Sequence, residues 1–183
     1  LVVLLLGAAL LAYNPVTNYF SEGKGSCSCD GIEDMVAWAE GKRKCVYKDS
    51  LGIPTIGIGF NLHRSDARSL ITKVGANFDK VLAGTECLTD SQISQLFKND
   101  LTWAQAGAKQ CVPSFSTHKT CIQNVLIDMT FNMGKVALCS WPNFNKQLSA
   151  HEYSAAAKNM HSTKWCGQVG RRCTRDEGLV RDC

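Results

Sequence analysis

Several stretches of the chain carry apolar residues at the three- and four-residue spacing of one helix face. The first of them predicts a helix from about Gly31 to Glu40. The segment that follows, about 45–60, is rich in Ile, Val and Gly, which predicts a strand, a turn and a second strand. Two short helical stretches come next, over 65–74 and near 77–82.

The second half of the chain is predicted to be helical throughout. Thr89 and Gln92 match a capping box, and the apolar periodicity that follows predicts a helix over 90–108. Over 121–133 the apolar residues surround the helix, so we expect this helix to be buried on nearly all sides at the centre of the fold. Further helices are predicted at 142–149, 151–161 and 169–181.

The order of these elements predicts an α+β protein that is mainly helical. A chain of 183 residues can bury one good core, and one domain in two lobes is its natural division. We expect a small lobe with the β-hairpin or sheet over about 41–88. A larger all-helical lobe around the central helix would take 89–183 together with the first helix.

The start of the chain has the pattern of an export signal. Leu1 to Leu11 is an uncharged apolar run, too short for a membrane helix but of the length of a signal-peptide core. We therefore interpret 1–12 as the remnant of a signal peptide cleaved between 12 and 25, and 13–30 as a flexible lead-in. A buried N-terminal helix is the alternative. The protein is predicted to be secreted.

The chain contains ten cysteines, an even and dense set. Downstream of a signal-like segment, such a set indicates a disulfide framework whose pairing one sequence cannot give. Zinc binding is the alternative, but the one close pair has a spacing that is not typical of zinc sites. No metal or other cofactor is therefore predicted. The cysteines are Cys27, Cys29, Cys45, Cys87, Cys111, Cys121, Cys139, Cys166, Cys173 and Cys183.

The formal net charge is +4, which favours attraction to polyanions such as bacterial walls. The basic residues are scattered and no nucleic-acid-binding motif accompanies them, so we predict no nucleic acid partner. No strongly basic amphipathic helix is present, which argues against stable membrane insertion. A monomer is expected.

The segment from Glu40 to Gly59 carries the candidate chemistry. Glu40 ends the first predicted helix, whereas Asp49 and Thr55 lie on the strand, turn and strand that follow. Two carboxylates held apart across a cleft are what the hydrolysis of a glycosidic bond needs, one as the acid and one to direct water.

This segment closely resembles the catalytic region of the phage-type lysozymes, the T4 lysozyme family, in which Glu, Tyr-x-Asp and Thr-Ile-Gly-x-Gly recur at these separations. The resemblance extends over about 31–183. It implies the lysozyme-like fold, and the cysteines make the chain most similar to the secreted phage-type lysozymes of bivalve molluscs. Its further matching segments are Leu88 to Asp90, Leu96 to Asp100, Met129 to Gly134 and Trp165 to Arg172.

The resemblance implies a role for each of four residues. Glu40 would be the general acid, Asp49 and Thr55 would hold the attacking water so that the anomeric configuration inverts, and Arg172 would position the acid. Without the resemblance, each residue also has an ordinary structural interpretation. These are a solvated carboxylate at a helix end, a turn Asp, a strand Thr and a surface Arg.

Four further positions are candidates for binding substrate. Phe131 and Asn159 match family positions that contact saccharide, although a core Phe is nearly as good an interpretation of Phe131. Asn61 and Phe144 stand at cleft positions where the residue types differ from the T4 pattern, so the family's contacts do not transfer directly.

The function predicted from these observations is that of an endo-acting muramidase, whose partner is bacterial peptidoglycan. A chitinase-like activity on a related polymer is the first alternative. A non-enzymatic cationic antimicrobial protein is the second.

Overall fold

The computed structural model describes residues 28–183, so the predicted signal segment and most of the predicted lead-in lie outside the described residues. The described chain forms ten α-helices, one 3-10 helix and three β-strands. In order they are α1 (Ile32–Glu40), β1 (Arg43–Lys48), β2 (Pro54–Gly57), β3 (Phe60–Asn61), α2 (Ala67–Lys73), α3 (Phe78–Leu82), α4 (Asp90–Cys111), the 3-10 helix (Phe115–Thr117), α5 (Thr120–Met133), α6 (Lys135–Cys139), α7 (Pro142–Ser149), α8 (Tyr153–His161), α9 (Lys164–Val169) and α10 (Arg171–Asp182).

The strands form one antiparallel sheet in the order β1, β2, β3. Thr55 pairs with Tyr47 of β1 on one side and with Asn61 of β3 on the other. The turn between β2 and β3 is tight, and both Gly57 and Gly59 adopt positive φ angles there, which glycine accommodates without steric cost. The predicted hairpin is therefore a small three-stranded sheet.

Helix α5 is the centre of the helical part, as predicted. Its residues from Cys121 to Thr130 are buried with the exception of Gln123. It packs against α1, α4, α6 and α10. A mainly helical α+β fold, with a small sheet and a central buried helix, is thus confirmed.

Most predicted helices are present with small shifts of their ends. The capping box of Thr89 and Gln92 begins α4, which continues to Cys111. Helices α6 and α9, of five and six residues, were not predicted. The helix predicted at 169–181 begins at Arg171, since Gly170 has a φ of +51° and separates α9 from α10.

The predicted disulfide framework is confirmed for the cysteines that the structure describes. All of them, including Cys183, are disulfide-bonded. Cys27 lies outside the described residues. The four described pairs are Cys29–Cys121, Cys45–Cys87, Cys111–Cys139 and Cys166–Cys173.

Within residues 28–183, no helix combines the length and the apolar character that a membrane span requires.

Candidate active site

Glu40 is the last residue of α1, and its side chain is held from two sides. Its Oε1 accepts a hydrogen bond of 2.6 Å from Nη1 of Arg172. On the other side, a Cβ atom built on Gly59 would come within 2.9 Å of Oε2. The backbone of the β2–β3 turn therefore approaches the carboxylate closely, while 22% of the side chain remains accessible.

Arg172 is itself fixed by a buried carboxylate on the central helix. Its Nε donates to Oδ2 of Asp128 at 2.7 Å and its Nη2 donates to Oδ1 at 2.9 Å. Burial on its own would lower the pKa of Arg172, but the hydrogen bonds and charge of Asp128, followed by the charge of Glu40, outweigh it and raise the pKa. Arg172 thus stays charged, and its third nitrogen is directed at Glu40.

A second buried arginine completes this ion cluster. Arg175 bonds Oδ2 of Asp128 at 2.8 Å, Oδ1 of Asp176 at 2.7 Å and the carbonyl oxygen of Met35 at 2.8 Å. Both carboxylates are fully buried. Helices α1, α5 and α10 are therefore joined through one network of charges beneath Glu40.

Asp176 differs from Asp128 in its hydrogen bonding. Its Oδ2 is buried and has no hydrogen-bond partner. Burial, followed by the negative charge of Asp128, raises the pKa of Asp176 well above its ordinary value, against the opposing charge of Arg175. A proton on Oδ2 removes the cost of an ionised oxygen that no donor reaches, so the neutral acid is favoured.

Asp49 forms the turn that follows β1. Its Oδ1 accepts hydrogen bonds from the backbone N–H groups of Leu51 and Ile53, at 2.8 and 2.9 Å. Its Oδ2 has no hydrogen-bond partner among the described residues. The turn interpretation is therefore correct for one oxygen of Asp49, while the other is available to a ligand or to water.

Thr55 is tied to the same turn. Its hydroxyl donates to the carbonyl oxygen of Ile53 at 3.1 Å, and its side chain is almost fully buried. Because the hydroxyl proton is engaged in this way, the oxygen presents its lone pairs as acceptors. The backbone of Ile53 thus holds both Asp49 and Thr55 in place.

Tyr47 lies near both candidate carboxylates. Burial, followed by the negative charge of Glu40 and more weakly by that of Asp49, raises the pKa of its phenol, whereas Arg43 opposes the rise. Tyr47 lines the same cavity as both carboxylates.

The candidate residues line one cleft cavity of about 940 Å³. Besides Glu40, Asp49 and Thr55, its walls include Asn61 and Phe131. The half-buried ring of Phe131 also packs edge-on against Phe97, with 5.8 Å between the ring centroids. The size of the cavity and its mixture of aromatic and polar walls are typical of a ligand site.

Two of the substrate-binding candidates lie elsewhere. Phe144 is 0% exposed and packs edge-on against Trp141 in the core, so it has no face to offer a ligand, and its assignment as a binding residue is corrected to a core residue. Asn159 lies on α8 and does not line the cleft cavity. Both positions were inferred from the family resemblance, which matches residues along the chain and does not specify what surrounds them in the fold.

Asp128 was not among the site residues predicted from the sequence, and Asn132 was included only as part of the matching segment Met129 to Gly134. A signal for Asp128 was present, because a charged residue inside a helix buried on all sides must be paired. Asn132 lines the cleft and its Oδ1 accepts a hydrogen bond of 2.8 Å from Nε1 of Trp165. No pattern in the sequence pointed to that contact.

One group of potential metal ligands occurs among the described residues. Atoms of His161, Cys166 and Glu177 lie within 4.8 Å of one another. The sulfur of Cys166 is bonded to Cys173, so it offers no thiolate, which is the form that binds metal.

Comparison with known proteins identifies the family of the chain. The family model described as Phage lysozyme matches residues 37–182. Probable T4-type lysozyme 1 of Dictyostelium discoideum is 29% identical over 153 residues, which cover 79% of this chain and 89% of that protein. The Endolysin of Salmonella phage P22 is 31% identical over 118 residues, which cover 64% of this chain and 70% of that protein. Probable T4-type lysozyme 2 of D. discoideum is 24% identical over 156 residues, which cover 79% and 89%. The chain therefore belongs to the phage lysozyme family and is a glycoside hydrolase of the lysozyme type.

Proposed function

We propose that this protein is a secreted endo-acting muramidase. It hydrolyses the β-1,4 bond between N-acetylmuramic acid and N-acetylglucosamine in bacterial peptidoglycan, with inversion at the anomeric carbon. The observation that carries the proposal is that Glu40, Asp49 and Thr55 line one cavity, which suits a carbohydrate chain. The disulfide-bonded cysteines support an extracellular location.

Glu40 acts as the general acid. Oε1 accepts the hydrogen bond from Arg172, so the proton to be transferred is carried by Oε2, which faces Gly59. The hydrogen bond from Arg172 fixes the orientation of the carboxyl group. The role of Arg172 is to position the acid, because the two hydrogen bonds to Asp128 prevent the guanidinium from turning away.

Asp49 and Thr55 hold the water that attacks from the opposite face of the sugar. Oδ2 of Asp49 is free to accept a proton from this water, and the Thr55 oxygen can accept a second hydrogen bond from it. Inversion requires room for the water between the acid and the base. The charge of Asp49 also stabilises the positive charge that develops on the sugar ring.

Replacing Glu40 tests whether the protein lyses walls by catalysis. Glu40→Gln keeps the shape of the side chain and removes its proton, so lysis of bacterial walls should fall by about 10² or more. Glu33→Gln, the same change on an exposed residue of α1, should lyse walls like the wild type. Wall lysis by Glu40→Gln at the wild-type rate would contradict the proposal and favour a membrane-active protein.

The anomer of the first product tests the inverting mechanism. NMR of a defined oligosaccharide during hydrolysis should show the α-anomer first. An initial β-anomer would contradict the roles of Asp49 and Thr55.

A further inference from the structure

A second cavity, which we call the side pocket, adjoins the cleft at the candidate acid. Its volume is about 420 Å³, and it shares Glu40 and Asn132 with the walls of the cleft cavity. Its remaining walls come from the end of α1, the end of α9 and the start of α10. They are Trp38, Ala39, Val169, Arg171 and Arg172.

Trp38 is an exposed aromatic residue at the edge of the side pocket. Its indole is 49% accessible although it lies on α1 only two residues before the acid. The guanidinium groups of Arg171 and Arg175 lie 5.5 and 5.0 Å from the centre of the ring. A large aromatic surface left open beside a cavity, with cations held against it, is typical of a binding site.

Arg171 is the cation of the side pocket that remains available. Arg172 uses its nitrogens on Asp128 and Glu40, and Arg175 uses its nitrogens on Asp128, Asp176 and the backbone. Arg171, in contrast, is exposed and forms no ion pair with any acidic group of residues 28–183. A guanidinium with a free fork of donors matches a carboxylate in geometry as well as in charge.

Two further features of the side pocket favour an anion. Arg171 stands in the first turn of α10, a position whose helix dipole also attracts negative charge, and that turn contains no acidic residue. The side-chain amide of Asn132 uses its oxygen on Trp165, and its N–H groups donate to no described residue. Apart from the carboxyl group of Glu40, which both cavities share, the unused polar groups of the pocket are therefore donors.

We propose that the side pocket binds a carboxylate carried by the substrate, with the guanidinium of Arg171 as its ligand and the indole of Trp38 as the adjoining apolar wall. The proposal rests on the muramidase function proposed above. In peptidoglycan, every second sugar carries a lactyl ether whose carboxyl group is joined to a peptide through an amide bond. The peptide offers carboxylates in intact strands, and the lactyl group offers one wherever the peptide is absent. Polymers of N-acetylglucosamine carry none, so the side pocket would select between the two kinds of polymer.

Kinetics on soluble glycan strands test the proposal. We compare wild type, Arg171→Gln, Arg171→Lys and the control Lys73→Gln, which removes an exposed charge of α2 away from both cavities. The strands carry intact peptides or have had them removed by an amidase, which leaves the lactyl carboxylate. Competitive inhibition by an uncharged chito-oligosaccharide measures binding to the cleft without a carboxylate.

On strands with peptides, Arg171→Gln should raise KM about tenfold with little change in kcat, as expected for the loss of one charge-assisted hydrogen bond. The KM of Arg171→Lys should lie between those of Arg171→Gln and the wild type, because lysine keeps the positive charge but lacks the paired donors of a guanidinium. Inhibition by the chito-oligosaccharide should be the same in all four proteins. On intact strands the carboxylate bound is one of the peptide. If the effect disappears on stripped strands, the pocket takes the peptide carboxylate alone, and if it persists, the pocket also accepts the lactyl carboxylate that the amidase exposes.

An unchanged KM of Arg171→Gln on strands with peptides would overturn the proposal. So would an equal weakening of chito-oligosaccharide inhibition, since that would mean a general effect on the cleft. Failure of the proposed function would look different. In that case the wild type itself would not hydrolyse the strands, or Glu40→Gln would hydrolyse them at the wild-type rate.

Discussion

Arg172 meets Asp128 through two parallel hydrogen bonds, of 2.7 and 2.9 Å, and this pair directs the remaining nitrogen of Arg172 toward Glu40. The three residues come from α10, α5 and α1. The position of the acid in the cleft is therefore set by the packing of three helices, with a buried charge on the central helix as the common anchor.

The two buried aspartates of this ion cluster should respond differently to the same substitution. Asp128→Asn removes the charge that faces two buried arginines, so it should lower the free energy of unfolding by about 3 kcal/mol and also reduce activity. Asp176→Asn replaces a carboxyl group whose neutral form is favoured, so it should cost less than about 1 kcal/mol at neutral pH. Urea unfolding of both variants measures the difference, and equal losses would contradict the unequal roles of the two carboxyl groups.

Asp49→Asn should separate the structural and chemical roles of that side chain. The amide oxygen can still accept from the N–H groups of Leu51 and Ile53, so the turn and the melting temperature should be retained. The charge at Oδ2 is lost, and kcat should fall by about 10² or more with little change in KM. Asp49→Glu should also lose most of its activity, because the added methylene displaces the attacking water. Thr55→Val should reduce kcat less, because Asp49 would still hold that water. Near-normal turnover by a folded Asp49→Asn would mean that Asp49 only forms the turn.

Gly59→Ala should displace the acid. The backbone there has a φ of +67°, and the new Cβ would lie 2.9 Å from Oε2 of Glu40. Gly75→Ala is the matched control, with a φ of +83° and no atom within 4 Å of its Cβ. Both variants should lose about 1 kcal/mol of stability to backbone strain, but the large loss of kcat should occur in Gly59→Ala alone. Equal activities would show that the close approach of Gly59 does not matter for Glu40.

His118 should make the protein less stable in mild acid. The ring is 4% exposed and bonds Ser114 and Tyr153, and its pKa is lowered by burial and then by His151. The unfolded chain therefore binds a proton below about pH 6.5 that the folded chain does not, so stability falls as the pH drops from there to the lower folded pKa. The decrease in unfolding free energy between about pH 7.5 and pH 5 should be smaller in His118→Gln. An unchanged decrease would contradict this assignment.

Each disulfide should contribute to the free energy of unfolding according to the length of the chain segment that it closes into a loop. Cys29 and Cys121 are 92 residues apart, whereas Cys166 and Cys173 are 7 apart. Replacing both partners by Ser should cost about 4 to 5 kcal/mol for the first pair and about 2 to 3 kcal/mol for the second. Denaturant unfolding measures both. A larger loss for the short pair would mean that packing around Cys173, which is fully buried, dominates.

The local pattern of residues was sufficient for most of the secondary structure. The capping box of Thr89, the apolar surface of α5 and the Ile-, Val- and Gly-rich segment after Glu40 each specify an element through neighbours in the chain. The break at Gly170 could not be predicted in this way, because glycine is compatible with both a helix interior and a helix end. The packing of the residues on either side of Gly170 decides that the helix breaks there.

The sequence by itself determined the elements and the segment that carries the candidate chemistry, since both depend on short-range spacing. Which residues meet was decided only by the tertiary structure. Asp128 and Arg172 are far apart in the chain, and their contact exists because α5 and α10 pack together. The same packing buries Phe144 and leaves Trp38 open beside Glu40. Burial and long-range pairing depend on the whole core, which no single segment specifies.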